Sequence, residues 1–98
     1  MTFKGEITGR HEYEGHCITA IEFRTNGPQG GGASSGGFLE IAFENLASTC
    51  LEVALNSDEL QEADLIKLRF KGDAEMEAAF QCFEFLVTKL RAIRAISD

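Results

Sequence analysis

The sequence predicts an α+β fold: a single two-layer domain, residues 1–98, of about five mostly antiparallel strands in a meander, with one long C-terminal helix on one face. Three observations carry this. Between Thr2 and Lys71, apolar residues recur at every second position in several short runs. From Asp73 onward the period becomes 3.6 and holds for about six turns. A chain of 98 residues buries roughly two thirds of its unfolded surface, which is one core and no second one.

The first run, TFKGEITGRHEY, places Phe3, Ile7, His11 and Tyr13 on one face and Lys4, Glu6, Thr8, Arg10 and Glu12 on the other. HCITAIEFRT follows, with Cys17, Thr19, Ile21 and Phe23 in phase. A three-residue connection closing at Gly15 keeps the two apolar sets on one face and sets Ile7 opposite Ile21 and His11 opposite Cys17. It also sets Phe23 over Gly5, where a ring covers a bare glycine.

FLEIAFE is the third strand, with Leu39, Ile41 and Phe43 inward, and Asn45 to Ser48 turn the chain. TCLEVALN reads as a fourth, with Leu51, Val53 and Leu55 inward. Asp58 to Gln61 has capping-box spacing and predicts one helical turn. LIKLRFK is the most regular strand: Ile66, Leu68 and Phe70 face in, and Lys67, Arg69 and Lys71 face out, beside Glu52.

In the helix, Asp73 is the expected N-cap, and acidic residues open the helix while Lys89, Arg91 and Arg94 close it, as the dipole favours. Met76, Ala79, Phe80, Phe83, Leu86, Val87, Leu90 and Ile93 form one broad stripe, expected to enter the core along residues 74–93.

Residues 26–38, NGPQGGGASSGGF, hold six glycines and the only proline. The segment lacks the lysine of a P-loop, its glycines miss the dinucleotide spacing, and a strand rather than a helix follows it. Residues 27–37 therefore read as a flexible loop between strands. A glycine nest built from Gly30, Gly31, Gly32, Ser34 and Ser35 is the alternative, holding an anion or small ligand by backbone amides.

Other chemistry is sparse. His11 and Cys17 are candidates for a thiol nucleophile and its base, but no third, orienting residue is evident and a core-edge histidine is the simpler reading. The three cysteines are widely spaced and odd in number, with no CxxC pair; no structural metal, cofactor or disulfide framework is expected, and a reducing, cytoplasmic compartment is. No apolar run approaches a membrane span, and the N-terminus lacks a signal region.

The net charge is −7, and no Lys or Arg occurs between Arg24 and Lys67. Direct nucleic-acid binding needs clustered cations and is not expected. Phe85 falls opposite the helical stripe, with Gln81 and Thr88 around it; Phe38, Ala42 and Ala54 make a similar patch on the outer sheet face. These residues predict a contact with a second copy or another protein. The expected function is thus a small, acidic, non-catalytic interaction or accessory protein, with an inhibitor of a basic macromolecule as its sharpest form. Ligand binding by the glycine loop is the alternative, and an enzyme built on His11 and Cys17 the third reading.

Overall fold

The computed structural model describes residues 5–15, 18–47 and 50–97. Its main sheet has four antiparallel strands in the order β1-β2-β3-β6: β1 (Ile7–Tyr13), β2 (Ile18–Thr25), β3 (Phe38–Ala47) and β6 (Leu65–Lys71). Between β3 and β6 the chain makes an excursion with a two-stranded ladder, β4 (Glu52–Val53) against β5 (Gln61–Glu62). The helix α1 (Asp73–Ser97) follows β6 and packs on β3 and β6. The α+β class and the closing helix are as the sequence predicts.

The strand count differs in detail. TCLEVALN does not join the main sheet; only Glu52 and Val53 pair, and with β5. Asn56 takes a left-handed backbone, φ 56°, which stops the run; residues 55–58 form bends, and Asp58 to Gln61 form no helical turn. β3 continues through Ala47, so the expected turn at Asn45 is absent, and Ser48 lies outside the described residues. The outward cations of β6 meet β3 instead of Glu52: Arg69 lies opposite Glu40 and Lys67 opposite Ala42.

The first hairpin keeps its faces and changes its register. Ile7 lies opposite Thr25 and His11 opposite Ile21, four residues further along β2 than a Gly15 closure sets them. An even shift leaves every side chain on its own face, so the alternation that predicted the faces cannot detect it. Phe23 does cover a glycine, but it is Gly9: a Cβ there would strike the ring at Cε1. Cys17 itself lies outside the described residues.

The core is small. Leu39 and Ile41 of β3 meet Met76 and Ala79 of α1, with Phe43, Phe70, Phe80 and Phe83 packed around them. Phe70 and Phe83 meet edge to face, 6.2 Å between centroids, the arrangement aromatic quadrupoles favour. Gly72 joins β6 to the helix with φ 110°, a conformation that a residue with a Cβ rarely adopts. Its carbonyl accepts from Met76 N at 2.9 Å, so Gly72 occupies the N-cap position and Asp73 is the first helical residue. That frees the Asp73 carboxylate for another task.

Candidate interaction surface and the glycine loop

Three places collect the residues singled out from the sequence. The first is the glycine loop. Gln29 N and Gly37 N donate to Asp73 Oδ1 at 3.1 and 2.8 Å, and Gly30 N donates to Asp73 Oδ2 at 2.7 Å. Asp73 N in turn donates to Gly31 O at 3.1 Å, and Gly72 N to Gly37 O at 2.7 Å. Gly32 O accepts from Ser35 N and Gly36 N, closing a turn in which Ser34 and Ser35 are exposed. The loop therefore does form an amide cradle, and the anion in it is the chain's own carboxylate. These amides, Gly37 foremost, hold the Asp73 carboxyl below its ordinary range, with burial opposing them.

The second place is the outer sheet face. Arg10 donates to Glu22 and Glu44, both at 2.9 Å, and approaches Glu12 at 3.4 Å. Its guanidinium is held above its ordinary pKa chiefly by Glu44, then Glu22. Arg24 and Arg69 share Glu40, and each also sits over the Phe38 ring, 5.1 Å from its centroid. Beneath these chains lie the alanines Ala20 and Ala42, both buried, on the floor of a groove of about 420 Å³. The Phe38 and Ala42 patch expected to be open is thus roofed by the chain's own arginines. Exposed ion pairs of this kind contribute about 0–1 kcal/mol each, so their main effect is to cover the alanines.

The third place is the helix side of the sheet. The His11 ring meets that of Tyr13 at a tilt of 58°, centroids 4.2 Å apart, with Ile21 across the ladder from His11. Ile7, Ile21 and Phe23 share this side and are exposed, because α1 lies on β3 and β6 and leaves β1–β2 bare. The helix is exposed in its turn. Leu86, Val87, Leu90 and Ile93 continue the stripe of Met76 and Phe83, yet Leu90 is 48% and Ile93 57% exposed. The expectation that Leu86, Val87 and Leu90 enter the core is overturned. A helix of 25 residues is about 37 Å long and seven-residue β6 about 23 Å, so the helix outruns the sheet.

On the opposite side of α1, Phe85 is 64% exposed, with Lys89 Nζ 5.5 Å from its ring centroid. Gln81 donates to Glu77 at 3.3 Å and Thr88 to the Glu84 carbonyl at 2.9 Å, so both flanking polar groups are tied to their own helix. Among the described residues no cluster of three or more His, Cys, Asp or Glu is placed to hold a metal ion. No helix among them is long and apolar enough to cross a membrane.

These features define a sheet-and-helix domain with an unfinished apolar layer. No family model, curated protein or solved structure matches the chain. The sequence reading missed two things. One is the role of Asp73, signalled by a short acidic side chain directly after Gly72 at the helix start in a chain rich in glycine amides. The other is the bare β1–β2 face, signalled by the ratio of helix length to strand length.

Proposed function

We propose that this chain is a small, acidic, non-catalytic interaction module that acts as a homodimer, in the role of an accessory or inhibitory protein. The observation that carries the reading is its uncovered apolar layer. The accessible surface is 7512 Å², against about 5,500 Å² for a compact chain of this length. The radius of gyration, 15.6 Å, likewise exceeds the roughly 12.5 Å of a compact domain. The excess is more than the ~800 Å² that one partner buries in a standard interface. Exposed apolar residues on both the sheet, Ile7, Ile21 and Phe23, and the helix, Leu86, Val87 and Leu90, favour association over a free monomer.

The acidic surface, net −7, supports a basic target for the pair, and the free thiols of Cys50 and Cys82 support a reducing compartment such as the cytoplasm. The competing reading, an anion or small-ligand site in residues 27–37, has less behind it, since Asp73 already takes the amides of Gln29, Gly30 and Gly37. Sedimentation equilibrium of the full chain tests the dimer: a two-chain mass is expected at tens of micromolar and above, a range typical of modest interfaces of this size. A single-chain mass throughout overturns it.

The Phe85 strip is a second candidate contact on the same helix. It points away from Leu86, Val87 and Leu90. Phe85→Glu is therefore expected to leave the two-chain mass unchanged and the helix intact, since Glu is a good helix former. A monomeric, folded variant would move the interface to that strip, with Gln81 and Thr88 at its rim.

A further inference from the structure

We infer that the distal half of α1 in each copy, Leu86 to Ile93, seats on the bare β1–β2 face of the other, so that two chains complete each other's second layer. This rests on the proposed homodimer and specifies how it is built. Four strands at ~4.8 Å spacing make a sheet about 19 Å wide, and a helix with its side chains is about 10 Å across. One helix covers two strands. The chain's own helix takes β3 and β6, so β1 and β2 have room for one more, and the described residues hold no second helix to supply it.

The helix beyond Phe83 has the opposite deficit. Its stripe runs on through Leu86, Val87, Leu90 and Ile93 with no sheet beneath. A second copy answers both deficits at once: it presents Ile7, Ile21 and Phe23 to this helix, and its own Leu86 and Leu90 to this sheet. Under a two-fold axis each contact occurs twice and the assembly closes. A partner offering only a helix, or only a sheet face, would leave one of the two surfaces bare.

The charges agree. From Phe85 to Ser97 the helix carries Lys89, Arg91 and Arg94 and no acid. Glu6, Glu12 and Glu22 of the β1–β2 hairpin lie on its outer face beside Arg10 and Arg24, and the described residues of the helix-side face, among them Ile7, His11, Tyr13, Ile21 and Phe23, include no Lys or Arg. The basic helix end thus meets a face free of Lys and Arg, which favours this pairing over helix against helix, where like charges would meet.

Mixing two disabled variants tests the seating. In Ile21→Glu the sheet seat is charged, and in Leu90→Lys the helix that fills it. Each alone spoils both seats of its homodimer and is expected to weaken association at least ~100-fold, the scale of a central interface residue. Mixed one to one, the pair should regain the two-chain mass. The mixed dimer keeps one native seat, and in the other the introduced carboxylate faces the introduced ammonium. Circular dichroism checks that each variant is folded; if Leu90→Lys is not, Ile93→Lys, further from the packed end, replaces it. A wild type that sediments as one chain removes the homodimer itself. A wild-type dimer with either single variant still dimeric overturns the seating but leaves the homodimer standing. So does a mixture that stays monomeric, since helix-on-helix and sheet-on-sheet contacts would leave no native seat to restore.

Discussion

Replacing Met76 with alanine is expected to destabilise the domain by about 2–5 kcal/mol, the range for emptying a buried site of this size. Met76 is 1% exposed and is the largest fully buried side chain among the described residues. It touches the sheet, its own helix and the glycine loop. Leu39 and Ile41 meet it from β3, and Ala79 packs one turn along the helix. Thr25 Oγ1 lies 3.7 Å from its sulfur. A Cβ added to Gly37 would stand 2.7 Å from its methyl carbon, so the loop closes over it as well. Total stability for a domain is typically about 5–15 kcal/mol, and a core this small places the chain near the low end. Met76→Ala should therefore be partly unfolded at 37 °C, while Met76→Leu, which conserves volume, should lose less than about 1.5 kcal/mol. Urea titration at one fixed protein concentration gives both values. The concentration must be fixed because association adds to apparent stability. A loss under about 1 kcal/mol for Met76→Ala would mean that the layers do not meet at this residue.

The strands and helix around Met76 are legible in the sequence because each has a period. LIKLRFK and FLEIAFE carry Ile66, Leu68 and Phe70, and Leu39, Ile41 and Phe43, at every second position, and α1 repeats at 3.6, so their faces follow from sequence alone. Register is a different kind of information. The pairing of Ile7 with Thr25 rather than Ile21 preserves the alternation, and the two registers differ in which glycine Phe23 covers, Gly9 here and Gly5 in the other. That contact is between side chain and bare backbone across the ladder, and no single-strand pattern encodes it. TCLEVALN misleads for the converse reason. Its alternation is good, but β3 already has β2 and β6 as neighbours, so no place beside it in the sheet remains.

The candidate surface is half legible. Phe85 stands out because it breaks the stripe, and it is exposed. Leu86, Val87 and Leu90 fit the stripe and so read as core, although a periodic stripe says only which way residues point. Whether anything lies beneath them depends on the length of the sheet, and the sheet ends first. The glycine segment shows the same limit. Its amides suggest a phosphate from outside, when a carboxylate 36 residues beyond Gly37 lies within reach of them.

Asp73→Asn is expected to lower the melting temperature at neutral pH and to flatten its response to acid. Asp73 accepts three loop amides with two oxygens. An asparagine can keep one oxygen on Gln29 N and Gly37 N, but its NH₂ then faces Gly30 N–H, a donor against a donor. The charge that strengthens all three bonds is lost as well. The sign of the pH effect follows from the carboxyl's lowered pKa. Protonation is disfavoured in the folded state, so the clasp contributes in full above the unfolded value of 3.8 and fades as pH falls through the lower, folded value. The wild type should therefore lose melting temperature on acidification below about pH 4 more steeply than the variant, and the two curves should converge. Amide exchange locates the change: Gln29, Gly30 and Gly37 should exchange faster in the variant at neutral pH, while Ile41, in the middle of β3, should not. Because the loop's ends meet at Asp73, cutting residues 28–36 to a tight turn should reproduce the variant's loss rather than cost only the small closure entropy of a slack loop. Identical melting curves for wild type and Asp73→Asn at neutral pH would show that the amides are as well served by water, and that the loop is held to the domain by something other than this carboxylate.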